Sequence, residues 1–160
     1  MPTKPGPHEL QRVALLLEAE SSQLKKFLDL LQREEAILIQ GDTDGLITIT
    51  REKNERFRQL QHLHDDRAIL LSRCGFNNSN AALRTFCANL PRALARWDEV
   101  LTLAAQAHQR NEFNGQLITE RLQHNQAALS VLLAATDQPP LYDAGGHSRP
   151  SGGGRMLGSA

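Results

Sequence analysis

The sequence predicts an all-α protein: an elongated antiparallel bundle or coiled coil of three long helices with a short connecting helix and a disordered C-terminal tail. Three observations carry this. Leu10, Leu17, Leu24, Leu31 and Leu38 recur at every seventh position, the spacing that lays one apolar stripe along a helix. A second seam pairs Leu94, Leu101, His108, Gly115, Leu122 and Leu129 with Trp97, Ala104, Asn111, Ile118, Asn125 and Leu132. Polar and small residues interrupt this second seam, as expected of a surface that receives a partner. Finally, the long segments carrying these patterns have few breakers, and no alternating strand pattern outweighs their helical period.

The first helix is expected from about His8 to Gln40, after a loose segment 1–7 in which Pro7 suits a first helical turn. Val13, Phe27 and Leu28 widen its stripe, Glu34 and Glu35 interrupt it, and Gly41 ends it. Asp42-Thr43-Asp44-Gly45 reads as a turn in which Asp42 or Asp44 caps the next helix. That helix runs to about Ser72 on the seam Leu46, Ile49, Lys53, Phe57, Leu60, Leu63, Arg67 and Leu70. Lys53 and Arg67 are expected to lay their stems on the apolar face while their charges reach water. Gly75-Phe76-Asn77-Asn78 closes it, and Ser79 caps a short helix from Asn80 to Leu90 with Phe86 and Cys87 inward. A last helix is expected from about Pro91 to Ala135, anchored at its base by Trp97, with Gly115 as the place for a bend or a close approach. The helical domain is thus read as 8–138 and the Gly-, Ser- and Pro-rich stretch 139–160 as a disordered tail.

Composition narrows the function. The 160 residues carry 18 basic and 18 acidic side chains, so the basic excess usual in nucleic-acid binding is missing. No apolar run reaches membrane-spanning length and the N-terminus has no apolar targeting core, so the expected location is the cytoplasm, without membrane insertion. Cys74 and Cys87 make neither a disulfide framework nor a zinc knuckle. His62 and His64, two apart on a helix, diverge, and the adjacent pairs Asp65–Asp66 and Glu34–Glu35 point apart. Gly146-His147-Ser148-Arg149-Pro150 and Gly152-Gly153-Gly154-Arg155 lack the remaining residues of a nucleophile elbow and a phosphate loop. The expectation is a binding protein, without enzymatic activity, metal or cofactor.

The passage Asn111-Glu112-Phe113-Asn114-Gly115-Gln116-Leu117-Ile118 resembles the last helix of the flagellar FlgN family, with its Asn-x-x-Asn-Gly-x-Leu-Ile element. Leu17 to Leu38 with Arg33-Glu34-Glu35 resembles the family's first helix, and Gly41-Asp42-x-Asp44-Gly45-Leu46 followed by Lys53 its turn and second helix. Cys74-Gly75-Phe76 is similar to the end of that helix, and Leu141-Tyr142-Asp143-x-Gly145-Gly146 to the element after the last helix. The resemblance spans about residues 10–146. It implies a cytosolic type III export chaperone that binds C-terminal segments of the first and third hook-associated proteins, prevents premature association and aids delivery to the export apparatus. On this sequence the expected partner-binding residues are Asn114, Gly115, Leu117, Ile118, Arg121, Leu122, Asn125, Leu129 and Leu132. The leucines and Ile118 are expected to bury a client helix, with Arg121 lying over one of them or pairing with a client carboxylate. Asn111 and Asn114 are read either as bonds across helices or as bonds to a client backbone. The alternative is a structural or regulatory coiled coil that self-associates through the Leu10–Leu38 stripe.

Overall fold

A computed structural model describes residues 2–135. It contains four helices: α1 (Pro7–Gln40), α2 (Thr43–Arg73), α3 (Asn80–Phe86) and α4 (Pro91–Ala135). No strand occurs among the described residues. The proposed tail, 139–160, and Leu141-Tyr142 lie outside them. The chain divides into two compact units, Met1–Leu117 and Ile118–Ala160.

Local chemistry accounts for the boundaries. α1 begins at Pro7, where a missing N–H costs nothing. It stops where Gly41 takes φ 76°, so that the amides of Gly41 and Asp42 both donate to the Ile37 carbonyl. Asp42 is the cap of α2, accepting from the Gly45 amide at 3.0 Å. Gly75, at φ 77°, closes α2, and the following Phe76 amide donates to the Leu71 carbonyl. Ser79 caps α3 through the Ala82 amide. α3 ends at Phe86, four residues before the expected Leu90, because a turn at Cys87–Leu90 precedes Pro91. Residues 2–6 have no regular structure, yet Thr3 donates its amide to the Cys74 carbonyl at 3.0 Å.

In the first unit α1 and α2 run antiparallel, and α3 carries the chain so that α4 runs parallel to α1. The direction is read from the cross-helix pairs Glu18–Arg96, Lys25–Glu99 and Glu35–Arg110. Val13, Leu17 and Leu24 of α1 pack with Leu70 and Leu71 of α2, Leu83 and Phe86 of α3, and Trp97 and Val100 of α4. Phe76 and Phe86 meet edge to face at 5.4 Å. Further along, Phe27 and Leu31 pack on Ala107. The leucine stripe of α1 is therefore consumed inside the bundle.

Two expected features differ. α4 does not bury the seam counted on its leucines: Leu101, Ala104, His108 and Asn111 are exposed, and the buried line is Ala93, Trp97, Val100, Ala107 and Asn114. Small residues let α4 approach α1 closely, and the larger leucines fall to the edges of the contact. The second difference is Arg67. Its charge does not reach water but lies buried, with Nε donating to Glu20 Oε1 at 2.7 Å and Nη1 to Asn78 Oδ1 at 2.6 Å. Its guanidinium sits 4.7 Å from the Trp97 ring centre. Trp97 is fixed in turn by a 2.7 Å bond from Nε1 to Asn80 Oδ1, which makes it the expected anchor of the α4 base.

At the surface, hydrogen bonds from Lys25 and then Arg96 hold the Glu99 carboxyl at about 2, below its ordinary 4.5. A depressed folded pKa stabilises the fold above the unfolded value and ceases to do so as pH falls through the folded one. The destabilisation caused by Lys25→Met is therefore expected to be full above pH 4.5 and to vanish toward pH 2. Denaturant titrations of both proteins across that range, at low salt, provide the check.

Candidate partner-binding face of α4

The described part of the second unit is helical, Ile118–Ala135. At 100° per residue, Ile118, Leu122, Asn125, Leu129 and Leu132 fall within an arc of about 80°, and Ile118 to Leu132 covers about 21 Å of helix. All five are exposed, the apolar ones substantially: Ile118 40%, Leu122 57%, Leu129 57% and Leu132 65%. Arg121 is exposed at the edge of the same arc. Val131 is exposed on the other side of the helix. Single exposed leucines are ordinary on any surface, but an aligned row of them is not. Asn125 interrupts the row as a polar residue interrupts a coiled-coil seam.

The remaining expected residues lie in the first unit. Leu117 is half-buried. Asn114 is fully buried, and its Nδ2 donates to the Leu31 carbonyl and to Glu34 Oε2, both at 2.9 Å. Of the two readings of Asn114, the bond across helices is the one present here. Asn111, by contrast, is exposed. Gly115 is exposed inside a continuous helix, and a Cβ built on it would meet nothing within 4 Å. Among the described residues, no neighbouring element therefore requires a glycine there. Gly115→Ala should stabilise the fold by up to roughly 1 kcal/mol, from helix propensity alone. Chemical denaturation checks the gain, and a loss of client affinity in the same variant would show that the partner needs the bare backbone.

Sequence reasoning missed one apolar opening in the first unit. A groove of about 390 Å³ is lined by Leu24 and Phe27 of α1, Phe57 and Leu60 of α2, and Ala104 and Ala107 of α4. Phe57 was expected in the helix seam, but it is 59% exposed at the groove's edge. The available signal was the run of alanines on α4, too short in side chain to cover a phenylalanine opposite.

The chemistry of the fold is otherwise quiet. Cys74 and Cys87 are buried free thiols; burial pushes Cys87 up to about 11 and, with Glu9 nearby, raises Cys74. Such thiols are poor nucleophiles near neutral pH. Among the described residues no group of three or more His, Cys, Asp or Glu could hold a metal ion, and no helix is long and apolar enough to cross a membrane.

The described residues form a helical bundle whose last helix carries an exposed apolar row. Comparison with known proteins places it more closely. The family model described as FlgN protein matches residues 1–150, and the chain belongs to that family. It is 25% identical to the flagella synthesis protein FlgN of Yersinia enterocolitica over 151 residues, covering 93% of this chain and 95% of that protein. It is also 25% identical to the flagella synthesis protein FlgN of Escherichia coli K12 over 139 residues, covering 87% and 91%. No solved structure matches the chain.

Proposed function

We propose that this protein is a cytoplasmic flagellar export chaperone. Its clients are the first and third hook-associated proteins, held through their C-terminal helical segments and passed to the type III export apparatus. Family membership supports the flagellar role. The observation that carries the binding mode is the exposed row Ile118, Leu122 and Leu129. A client segment that polymerises through an amphipathic helix exposes a complementary apolar stripe before assembly. A second helix laid along the row covers both faces, the helix-in-groove mode of recognition. Leu117, Arg121, Asn125 and Leu132 flank or continue the row and complete the contact. Gly115 permits close backbone approach at its start. Asn114 acts from inside the bundle. The protein works by binding and release, without catalysis or a cofactor.

Release at the export gate requires moderate affinity, which a few apolar anchors supply better than an extensive interface. The test is equilibrium titration of the full chain with the two C-terminal segments. Saturable binding at micromolar or lower concentration supports the reading, and no binding to either segment removes it. Self-association through the α1 leucine stripe is not favoured, because Leu17, Leu24, Leu31 and Leu38 are buried within the fold.

A further inference from the structure

Charge is unevenly placed in this neutral chain. Residues 1–17 and 68–97 carry Lys4, Arg12, Arg73, Arg84, Arg92 and Arg96, and the only acidic residue in either stretch is Glu9. The fold gathers both stretches at one end of the first unit, where Val13, Leu71, Leu83 and Ala93 share a core cluster. Arg84 is neutralised locally by Asp98, and Arg96 by Glu18 and Glu99. Lys4, Arg12 and Arg73 are exposed and, among the described residues, make no ion pair or side-chain hydrogen bond.

These three cations border one recess of about 360 Å³, together with His8. Its walls are the segment 2–6, the first turns of α1 and the last turn of α2. The Thr3 amide and hydroxyl both donate to the Cys74 carbonyl, at 3.0 and 3.4 Å. The segment that the sequence marks as loose is thereby clipped across the end of α2. Buried Leu70 and Cys74 supply apolar lining. The recess already takes in a carboxylate of the chain itself. Glu9 folds back over Gly6, and a Cβ on residue 6 would lie 2.6 Å from Glu9 Oε2.

A lone exposed cation is ordinary on any surface. Three around one recess repel one another, and Glu9 offsets only part of that repulsion. An anionic partner relieves the remainder. Arg12 and Arg73 carry forked guanidinium groups that suit carboxylates, and Lys4 adds a point charge. A nucleic acid needs cations that follow its backbone, whereas these close around a single recess in a chain without net charge. A membrane surface needs an apolar face beside the cations, whereas the apolar lining here is buried.

We propose that this recess docks an acidic segment of another protein, through neighbouring Asp or Glu side chains held by Lys4, Arg12 and Arg73. The contact involves none of the exposed row on α4, and the inference does not rest on the client-binding reading.

The test titrates the full chain into a fluorescein-labelled decaglutamate peptide at about 50 mM salt, where screening is modest, and follows anisotropy. Saturable binding is expected, weakened about three- to fivefold by Arg12→Gln and again by Arg73→Gln. Glu9→Gln should tighten it, because a repelling carboxylate leaves the recess. Arg51→Gln and Asp29→Asn make the same changes in net charge about 33 Å along α2 from Arg73 and about 30 Å along α1 from Glu9. Both should leave the affinity unchanged. Circular dichroism confirms that each variant is folded. A labelled oligothymidylate of equal length and vesicles of phosphatidylserine with phosphatidylcholine are titrated in parallel. Tighter binding of either than of the peptide overturns the proposal in favour of a nucleic-acid or membrane site. Absence of saturable peptide binding also overturns it. So does an equal loss in Arg51→Gln, Arg12→Gln and Arg73→Gln, which would show attraction to the chain's charge at large.

Discussion

Arg67→Ala is expected to lower the stability of the protein by about 3–5 kcal/mol, the usual consequence of removing one member of a buried ion pair. Arg67 and Glu20 are 4% and 5% exposed, so the carboxylate left behind has no route to water without disturbing the core. The loss extends beyond that pair. Asn78 Oδ1 loses a 2.6 Å donor, the contact with His64 Nδ1 disappears, and Trp97 loses the cation over its ring. Lysine should not rescue, because one ammonium nitrogen cannot reach the three separate partners that Nε, Nη1 and Nη2 serve, nor lay a flat face on the indole. Replacing both partners, as in Glu20→Leu/Arg67→Leu, should recover most of the loss, since the cost lies in the orphaned charge more than in the missing attraction. For a chain of this length the single variant should melt on the order of 10 °C lower. Urea denaturation followed by circular dichroism decides the matter. A loss below about 1 kcal/mol would mean that Glu20 finds solvent and that the cluster is peripheral to the fold.

The second large effect concerns binding. Ile118→Asp and Leu122→Asp should each weaken client binding by about 100-fold or more, equivalent to roughly 2.7 kcal/mol. A carboxylate enclosed between two apolar helix faces loses its hydration without gaining a partner, and that penalty exceeds the required amount. In the free protein the same carboxylates stay hydrated, because both positions are exposed. The cost to the fold is then limited to helix propensity, roughly 0.7 kcal/mol or less. The contrast between a large binding loss and a small stability loss distinguishes a contact surface from a core position. Trp97→Asp should show the opposite pattern, because Trp97 is buried among Arg67, Asn80 and Val100.

Much of the fold was legible in the sequence. Gly41, Asp42, Gly75, Ser79 and Pro91 mark the helix ends where the observed caps and turns fall. The α1 leucine stripe is the core it was read to be. The partners of the seam charges were harder to see. Glu20 and Glu34 stand fourteen residues apart on α1 (34 − 20), as do Lys53 and Arg67 on α2 (67 − 53). One antiparallel register therefore satisfies both ion pairs at once. Each charge taken alone reads as an interruption of an apolar face, and only the matched spacing reveals a pair.

The buried line of α4 was harder to see for a different reason. Leucine dominates any count of apolar periodicity, whereas close helix contact is made by the alanines and Val100 beside it. Asn114 illustrates the limit for the site. Its place in the Asn-x-x-Asn-Gly element marks it as important, but only the depth of the bundle at that level shows that it bonds to α1. Ile118, Leu122 and Leu129 keep a helical spacing that the sequence shows, and the structure adds that they are exposed.

The central claim is that clients are held on the Ile118–Leu129 row. Isothermal titration of the C-terminal segments of the two hook-associated proteins into wild type, Ile118→Asp and Leu122→Asp tests it most directly, with circular dichroism confirming that each variant is folded. Saturable binding by the wild type, lost in both folded variants, is the predicted result. Full-strength binding retained by both variants would contradict it and would place the client elsewhere on the protein.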